Sequence, residues 1–388
     1  MKYWIAAAAG AILLVLVSCS TNESASRSPL PEKITESLQM VNVPTAVTEP
    51  LIEPPVEPLV EPAGQEETVI EPPPAKKHVT FAFVGDVLLS GGVEKILDSK
   101  GYDYPYQNVQ PYLSEPDITI ANLETPVTEN GTPQDKEYVY KTNPQYLPAL
   151  KDSGVDVVNL ANNHSMDQGE LGLVDTLQHL QSVELPFVGA GMNEAEAFAP
   201  VYIEKNGIKV AVLGFSRVVP EGSWYAGLRK PGLATTYDPT KALKAIQLAK
   251  QNADLVVVIA HWGIEREDTP EKYQVNLAHQ YIDSGADLVI GGHPHVLQGF
   301  EAYNGKWIAY SLGNFIFTTN GVPKTWETLI LQADCTQEAA CSMSIVPVLT
   351  KYASPTPMEA EAGAKLIQRL NAINRNVRIS DAGELESQ

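Results

Sequence analysis

Between residues 79 and 314 the chain passes through seven short apolar runs, and six of them stop on Asp, Glu, Asn or His. Residues 79–84 lead to Gly85-Asp86, 118–121 to Asn122-Leu123-Glu124, and 155–160 to Asn162-Asn163-His164. Residues 255–260 lead to His261-Trp262-Gly263, 288–290 to Gly291-Gly292-His293-Pro294-His295, and 307–312 to Gly313-Asn314. The run at 209–214 has no such ending. Short apolar runs bounded by turn residues suit buried strands. Open α/β sheets bind ligands beyond the carboxyl ends of their strands, so the repeated ending gathers one class of donor at one edge of the molecule.

Helix-like segments lie between these runs, at residues 92–99, 145–152, 169–181, 239–252 and 271–284. The alternation predicts an α/β layered architecture. Residues 327–334 and 342–350 read as a strand pair, 359–374 as a terminal helix, and the remainder as a frayed polar tail. One internal echo stands out: Asp152-Ser153-Gly154-Val155-Asp156-Val157-Val158 resembles Asp283-Ser284-Gly285-Ala286-Asp287-Leu288-Val289. In each, a helix ends at a glycine C-cap and a strand follows. Each strand then delivers a histidine-containing loop.

The two ends of the chain differ from this middle. Lys2 and the uncharged apolar run 4–17 are too short for a comfortable membrane span and read as a targeting segment over residues 1–18. Leu16-Val17-Ser18-Cys19 resembles a bacterial lipobox, which would lipidate Cys19 and hold the protein on the extracytoplasmic face of the cell membrane. Residues 20–77 hold eleven prolines, ten glutamates and four Lys/Arg. Such a stretch offers no apolar face and is expected to be a solvated, disordered tether over 19–77. The main domain is then expected at 78–350, with 351–388 as C-terminal helix and tail.

A net charge of −20 argues against a nucleic-acid partner, since phosphate binding needs a basic face. Cys335 and Cys341, between the last two strand-like runs, either close a hairpin as a disulfide or stay free; closure would contribute roughly 2 kcal/mol.

Asp86, Glu124, Asn163, His261, His293 and His295 form a mixed oxygen and nitrogen set without thiolate, which suits Mn²⁺, Zn²⁺ or Fe²⁺. Six donors exceed the needs of one tetrahedral ion, and a carboxylate can bridge two, so two divalent ions are expected. Two such ions polarise an oxyanion, activate water and steady a leaving group. His164 is better placed as a general acid than as a ligand, with Asp167 three residues on to orient it. Trp262 and Glu265 could line a substrate cleft, although a Trp beside a buried strand more often packs against it. Tyr138, Tyr140, Lys141, Arg217, Arg229 and Lys230 could meet an anionic substrate, and the loop 220–232 around Ser223-Trp224-Tyr225 could form a lid.

Gly85-Asp86, Asn122-Leu123-Glu124, Asn162-Asn163-His164-Ser165-Met166-Asp167, His261-Trp262-Gly263-Ile264-Glu265, Gly292-His293-Pro294-His295 and Ser311-Leu312-Gly313-Asn314-Phe315 together resemble the bacterial capsule-synthesis family of the CapA type. Members are linked to poly-γ-glutamate capsule production. The family is in turn similar to calcineurin-like metallophosphoesterases. The resemblance implies a four-layer α/β/β/α sandwich, an anionic polymer or its precursor as partner, and membrane synthase subunits as neighbours. It implies Asp86 as the first metal carboxylate and Glu124 as the bridging one. It implies Asn163, His261 and His293 on the second metal, His295 on the first, and His164 as leaving-group acid. The phosphoesterase pattern opens Asp-x-His, whereas this chain has Asp86-Val87-Leu88. One first-metal ligand is therefore missing, to be made up by Asn122, Asn314 or water. Hydrolysis or transfer by such a site is one functional reading; a non-catalytic polymer-binding or export subunit is the other.

Overall fold

Neighbouring residues of each strand face different layers. In the strand His78–Val87, Phe81 and Phe83 enter a core shared with Val257, Ile259, Leu288 and Ile290. Ala82 and Val84 point the other way, into a cluster with Val93, Leu97, Leu147 and Leu177. Those last residues come from the helices Gly92–Lys100, Leu147–Asp152 and Gly169–Ser182. In the strand Leu255–His261, Val256 and Val258 likewise meet Ala242 and Ile246 of helix Thr240–Lys250 and Leu277 and Tyr281 of helix Lys272–Asp283. Strands buried on both faces read as unbroken apolar runs. Two sheets back to back, each covered outside by helices, give the α/β/β/α sandwich. This computed structural model describes residues 77–388; the leader, the expected lipidation at Cys19 and the tether lie outside the described residues.

One sheet has ten strands, with His78–Val87 between the parallel Ile118–Leu123 and the antiparallel Glu327–Thr336. Its register sets Asn314, Asp86, Asn122 and Asn159 in one row. The other sheet has six strands, and there Ser216, His261 and Gly292 share a row. The strand-end donors of the sequence therefore meet at one edge of the sandwich. A register shift between Phe83 and Asp86 marks a bulge just before the carboxylate, a device that re-aims a side chain. Gly85 has no alternative there, because a Cβ would lie 1.9 Å from the carbonyl oxygen of Gly313.

The internal echo is one device used twice. Gly154 and Gly285 end their helices at φ 111° and 116°. Asp156 Oδ2 accepts the backbone N–H of Thr119 at 2.8 Å, and Asp287 Oδ2 accepts that of Val256 at 2.9 Å. Each aspartate thus ties the start of its strand to the neighbouring strand.

The chain end corrects the expectation of a frayed tail. Val377–Ile379 and Glu384–Ser387 pair antiparallel, and Leu385 faces Met343 on the strand Cys341–Lys351. Val377, Ile379 and Leu385 are buried in the central core, beside Leu366, Ile367 and Leu370 of helix Ala360–Asn371. Strands of three and four residues alternate too briefly to be told from a polar coil. Cys335 and Cys341 face each other across the hairpin, Cα atoms 4.1 Å apart, and are joined as a disulfide.

Candidate metal centre

Asp86 and Glu124 are fully buried, His261 is 1% exposed and His293 7%. Three overlapping sets of ligand atoms lie within 4.8 Å of one another: Asp86, Glu124 and His295; Glu124, His261 and His293; and Glu265, His293 and His295. His261 Nε2 is 2.8 Å from Asn163 Oδ1 and 3.5 Å from Glu124 Oε1. His295 Nδ1 is 3.4 Å from Asp86 Oδ2 and 2.8 Å from Asn314 Oδ1. All six expected ligands are thus brought together, with Glu124 in two of the sets. Gly292 makes room: a Cβ there would lie 2.8 Å from Asp86 Oδ1. His293 and His295 both take positive φ, 95° and 57°, a backbone form costly for non-glycine residues and common at functional sites.

Asn122 and Asn314 orient ligands in the described structure. Asn122 donates to Asp86 Oδ1 at 2.8 Å, and its own oxygen accepts from Asn159 at 2.9 Å and Asn162 at 3.2 Å. Asn314 holds the His295 ring and donates to the Thr325 carbonyl at 3.2 Å. Leu88 is fully buried and supplies no ligand, its backbone N–H donating to Ile316 at 2.8 Å.

Charge is distributed unevenly. Burial, together with the neighbouring Asp86, pushes the Glu124 carboxyl well above its ordinary value. Burial pulls His261 down to about 4 and His293 well below its ordinary value. Burial also opposes charge on His295, but Glu124 and Asp86 outweigh it and lift the ring to about 9. Burial raises Asp86 in turn, and the His295 and His261 rings and Asn122 more than offset it, so its pKa lies below the ordinary value.

The donor set fits a divalent cation. Both Glu124 oxygens and His293 Nδ1 are buried without a hydrogen-bond partner. Each such group costs about 1–3 kcal/mol when left unmade. A cation bound by oxygen and nitrogen would satisfy all three atoms at once, and this mixed set suits Mn²⁺, Zn²⁺ or Fe²⁺.

His164 stands beside the ligands. Its Nδ1 is 2.8 Å from Asp167 Oδ2. Asp167 is itself held by Lys136 Nζ at 2.7 Å and the Tyr140 backbone N–H at 2.8 Å. Burial lowers the His164 pKa against the pull of Asp167. Burial and the charge of Glu124 push the Tyr140 phenol to about 12, so it stays neutral. His164 and His295 border a cavity of about 170 Å³ that also involves Tyr138, Tyr140, Glu265, Arg266 and Phe317.

Sequence reasoning missed Lys136, which also donates to the Asn163 carbonyl at 2.6 Å. A single lysine in a polar loop gives no signal. Asn162 stood inside a quoted motif, but its role is structural: its oxygen accepts the backbone N–H groups of His164 and Ser165 at 3.0 and 2.9 Å. Trp262 does not line the cleft. It is 1% exposed, stacked against Tyr281, with Nε1 donating to the Tyr310 carbonyl at 2.9 Å. Arg217 stacks over Tyr237, 4.1 Å from the ring centre. The loop around Ser223-Trp224-Tyr225 is fastened and not poised as a lid: Trp224 is buried, and Lys230 Nζ donates to the carbonyls of Ser223 and Tyr225.

Known proteins are similar in sequence to this chain. The sequence profile of the bacterial capsule synthesis protein PGA_cap matches residues 80–319. The PGA biosynthesis protein CapA of Bacillus subtilis is 36% identical over 303 residues, 77% of this chain and 79% of its own. The capsule biosynthesis protein CapA of Bacillus anthracis is 36% identical over 299 residues, 75% of this chain and 72% of its own. Among solved structures, the 5'-nucleotidase of Candida albicans aligns with a TM-score of 0.39 at 12% identity, over 70% of this chain and 54% of its own. The profile match spans most of the globular part and every strand-end donor, and the chain belongs to the bacterial capsule synthesis protein family.

Proposed function

We propose that this protein is a metal-dependent hydrolase or transferase of capsule-polymer biosynthesis, acting on poly-γ-glutamate or a precursor and held at the outer face of the cell membrane through lipidated Cys19. The observation that carries the reading is the partnerless buried carboxylate of Glu124 between three histidines. Two similar proteins are named for PGA and capsule biosynthesis, which supports the polymer context. Asp86, Glu124, Asn163, His261, His293 and His295 would hold two divalent ions. Bound there, such ions supply Lewis acidity to a substrate oxyanion and lower the pKa of water. His164 gives its proton to the leaving group, and Asp167 fixes the ring for that step through Nδ1. Lys136 keeps Asp167 in place.

The test is turnover by the purified chain, supplied with Mn²⁺ or Zn²⁺, on phosphoesters and on γ-glutamyl polymer. His164→Ala should lower the rate by about 10²–10⁴ with metal content unchanged. A metal-loaded protein that turns over neither class sinks the catalytic reading. Leu88 supports a second reading, a non-catalytic polymer-binding or export subunit beside a membrane synthase, because the Asp86 side has one ligand fewer. Capsule output unaffected by His164→Ala, at normal protein level, would favour it.

A further inference from the structure

The two strained histidines have a buried carboxylate, Glu124, and an exposed one, Glu265, among their near neighbours. Glu265 follows the strand Leu255–His261 on a segment that doubles back, with Gly263 at φ 96° and Arg266 at φ 67°. Trp262 N–H donates to the Gly292 carbonyl at 3.1 Å, and Arg266 N–H to the Pro294 carbonyl at 2.7 Å. Between them, Gly263 N–H donates to the Tyr273 hydroxyl at 2.7 Å. These bonds fasten residues 262–266 along the turn that carries His293 and His295. The Glu265 carboxylate is exposed, and among the described residues it accepts no hydrogen bond and makes no salt bridge. Yet it falls within 4.8 Å of ligand atoms of both His293 and His295. Ligands at about 2.0–2.2 Å from one ion in tetrahedral geometry lie roughly 3.3–3.6 Å apart, so a closing shift on the order of an ångström brings all three onto a cation. His293 Nδ1, buried and without a hydrogen-bond partner, leaves this shared histidine with a nitrogen still to be satisfied.

We propose that Glu265 is a metal ligand of this centre, supplying from the solvent side the donor that is lost where Leu88 replaces a histidine. The inference rests on the metal reading above. Glu124 and Glu265 then flank the His293–His295 pair, one carboxylate from the core and one from the cleft. An exposed carboxylate over a buried set also gives entering ions a first point of capture.

The test uses the full chain, stripped of metal and titrated with Mn²⁺, and separately with Co²⁺ to follow its visible absorption. Glu265→Gln should weaken Mn²⁺ binding by at least about tenfold, the lower range seen when groups supporting a metal site are lost, and should change the Co²⁺ bands. Glu265→Asp, which keeps the charge but shortens the reach, should fall between Glu265→Gln and the natural chain. Glu267→Gln removes an equal charge two residues on and should alter neither readout. Unchanged affinity and spectrum in Glu265→Gln, or equal weakening in Glu267→Gln, would overturn the proposal and leave the metal centre standing. A natural chain that takes up no ion would overturn the metal reading itself. Unaltered metal-free melting of Glu265→Gln checks that the fold is intact.

Discussion

The Asp86–His295 side of the centre and the Glu124–His261–His293 side bury similar groups in different ways. Asp86 has Asn122 at 2.8 Å and His295 at 3.4 Å, so its charge is balanced within the protein. Glu124 has no hydrogen-bond partner for either oxygen, and His293 none for Nδ1. The first side is satisfied as it stands; the second is satisfied only by something added. An ion beside His293 relieves groups already left without partners. An ion beside His295 must first displace that ring's proton and break its pairing with Asp86, and metal binding of this kind releases protons at a cost in affinity. The two proposed sites sharing Glu124 should therefore differ in strength, with the tighter at Glu124, His261 and His293.

The severest challenge to this comparison is Glu124→Gln, which removes the carboxylate common to both sides. It should abolish metal uptake, and with it the roughly 4 kcal/mol that an ion at a thousand times its Kd adds to stability. Melting with and without Mn²⁺ reads this directly, and a variant that still gains stability from the ion would show that Glu124 is not shared. Next in size, His261→Ala should cost the ion at Glu124, His261 and His293 roughly a thousandfold in affinity, about 4 kcal/mol, whereas Asp86→Asn should leave that ion and remove the one beside His295. Calorimetric titration giving the reverse order would break the comparison.

A pH series sharpens it further. The metal-free His295 ring titrates at about 9, above its ordinary 6.5. Its contribution is fully present below pH 6.5 and is lost as pH rises toward 9, on the order of 3 kcal/mol at 1.36 kcal/mol per unit. Glu124, also raised, acts in the same direction above its ordinary 4.5. Metal-free melting temperature should fall across pH 6.5–9, and saturating Mn²⁺ should flatten the slope; a flat metal-free profile would count against the Asp86–His295 pair. The smallest effect is expected from Asn314→Ala. It frees His295 Nδ1 and should weaken only the ion beside Asp86 and His295, by about 10–100-fold.

Much of the centre was legible because its strands are covered on both faces. Val256, Val257, Val258 and Ile259 are all buried, so the run stays apolar until the sheet edge, and the first polar residue, His261, marks that edge. The same logic located Asp86, Asn122 and Asn314, which the register then sets in one row. What escaped depends on loop geometry. Positive φ at His293, His295 and Arg266 turns the loops toward one another, and none of these residue types announces that conformation as glycine would. Lys136 sits in a loop without regular structure, 28 positions from the His164 it reaches. Trp262 turns inward, onto Tyr281, the packing role more usual for a Trp beside a buried strand. The terminal strands were missed because their period of two shows in only three buried side chains, Val377, Ile379 and Leu385.

His78 and Asp86 sit at opposite ends of one strand. Eight residues at about 3.3 Å each place them roughly 26 Å apart, so the entry of the chain into the sandwich and its candidate chemistry lie at opposite poles. That strand is flanked by a partner on either side, and the hairpin facing its first residues is closed by the Cys335–Cys341 bond. A tug transmitted through Lys77 runs along the strand axis and loads many backbone hydrogen bonds in shear together, where an edge strand would peel one bond at a time. Load entering at Lys77 is thus spread along the strand before it reaches Asp86 and the other candidate ligands at the opposite pole.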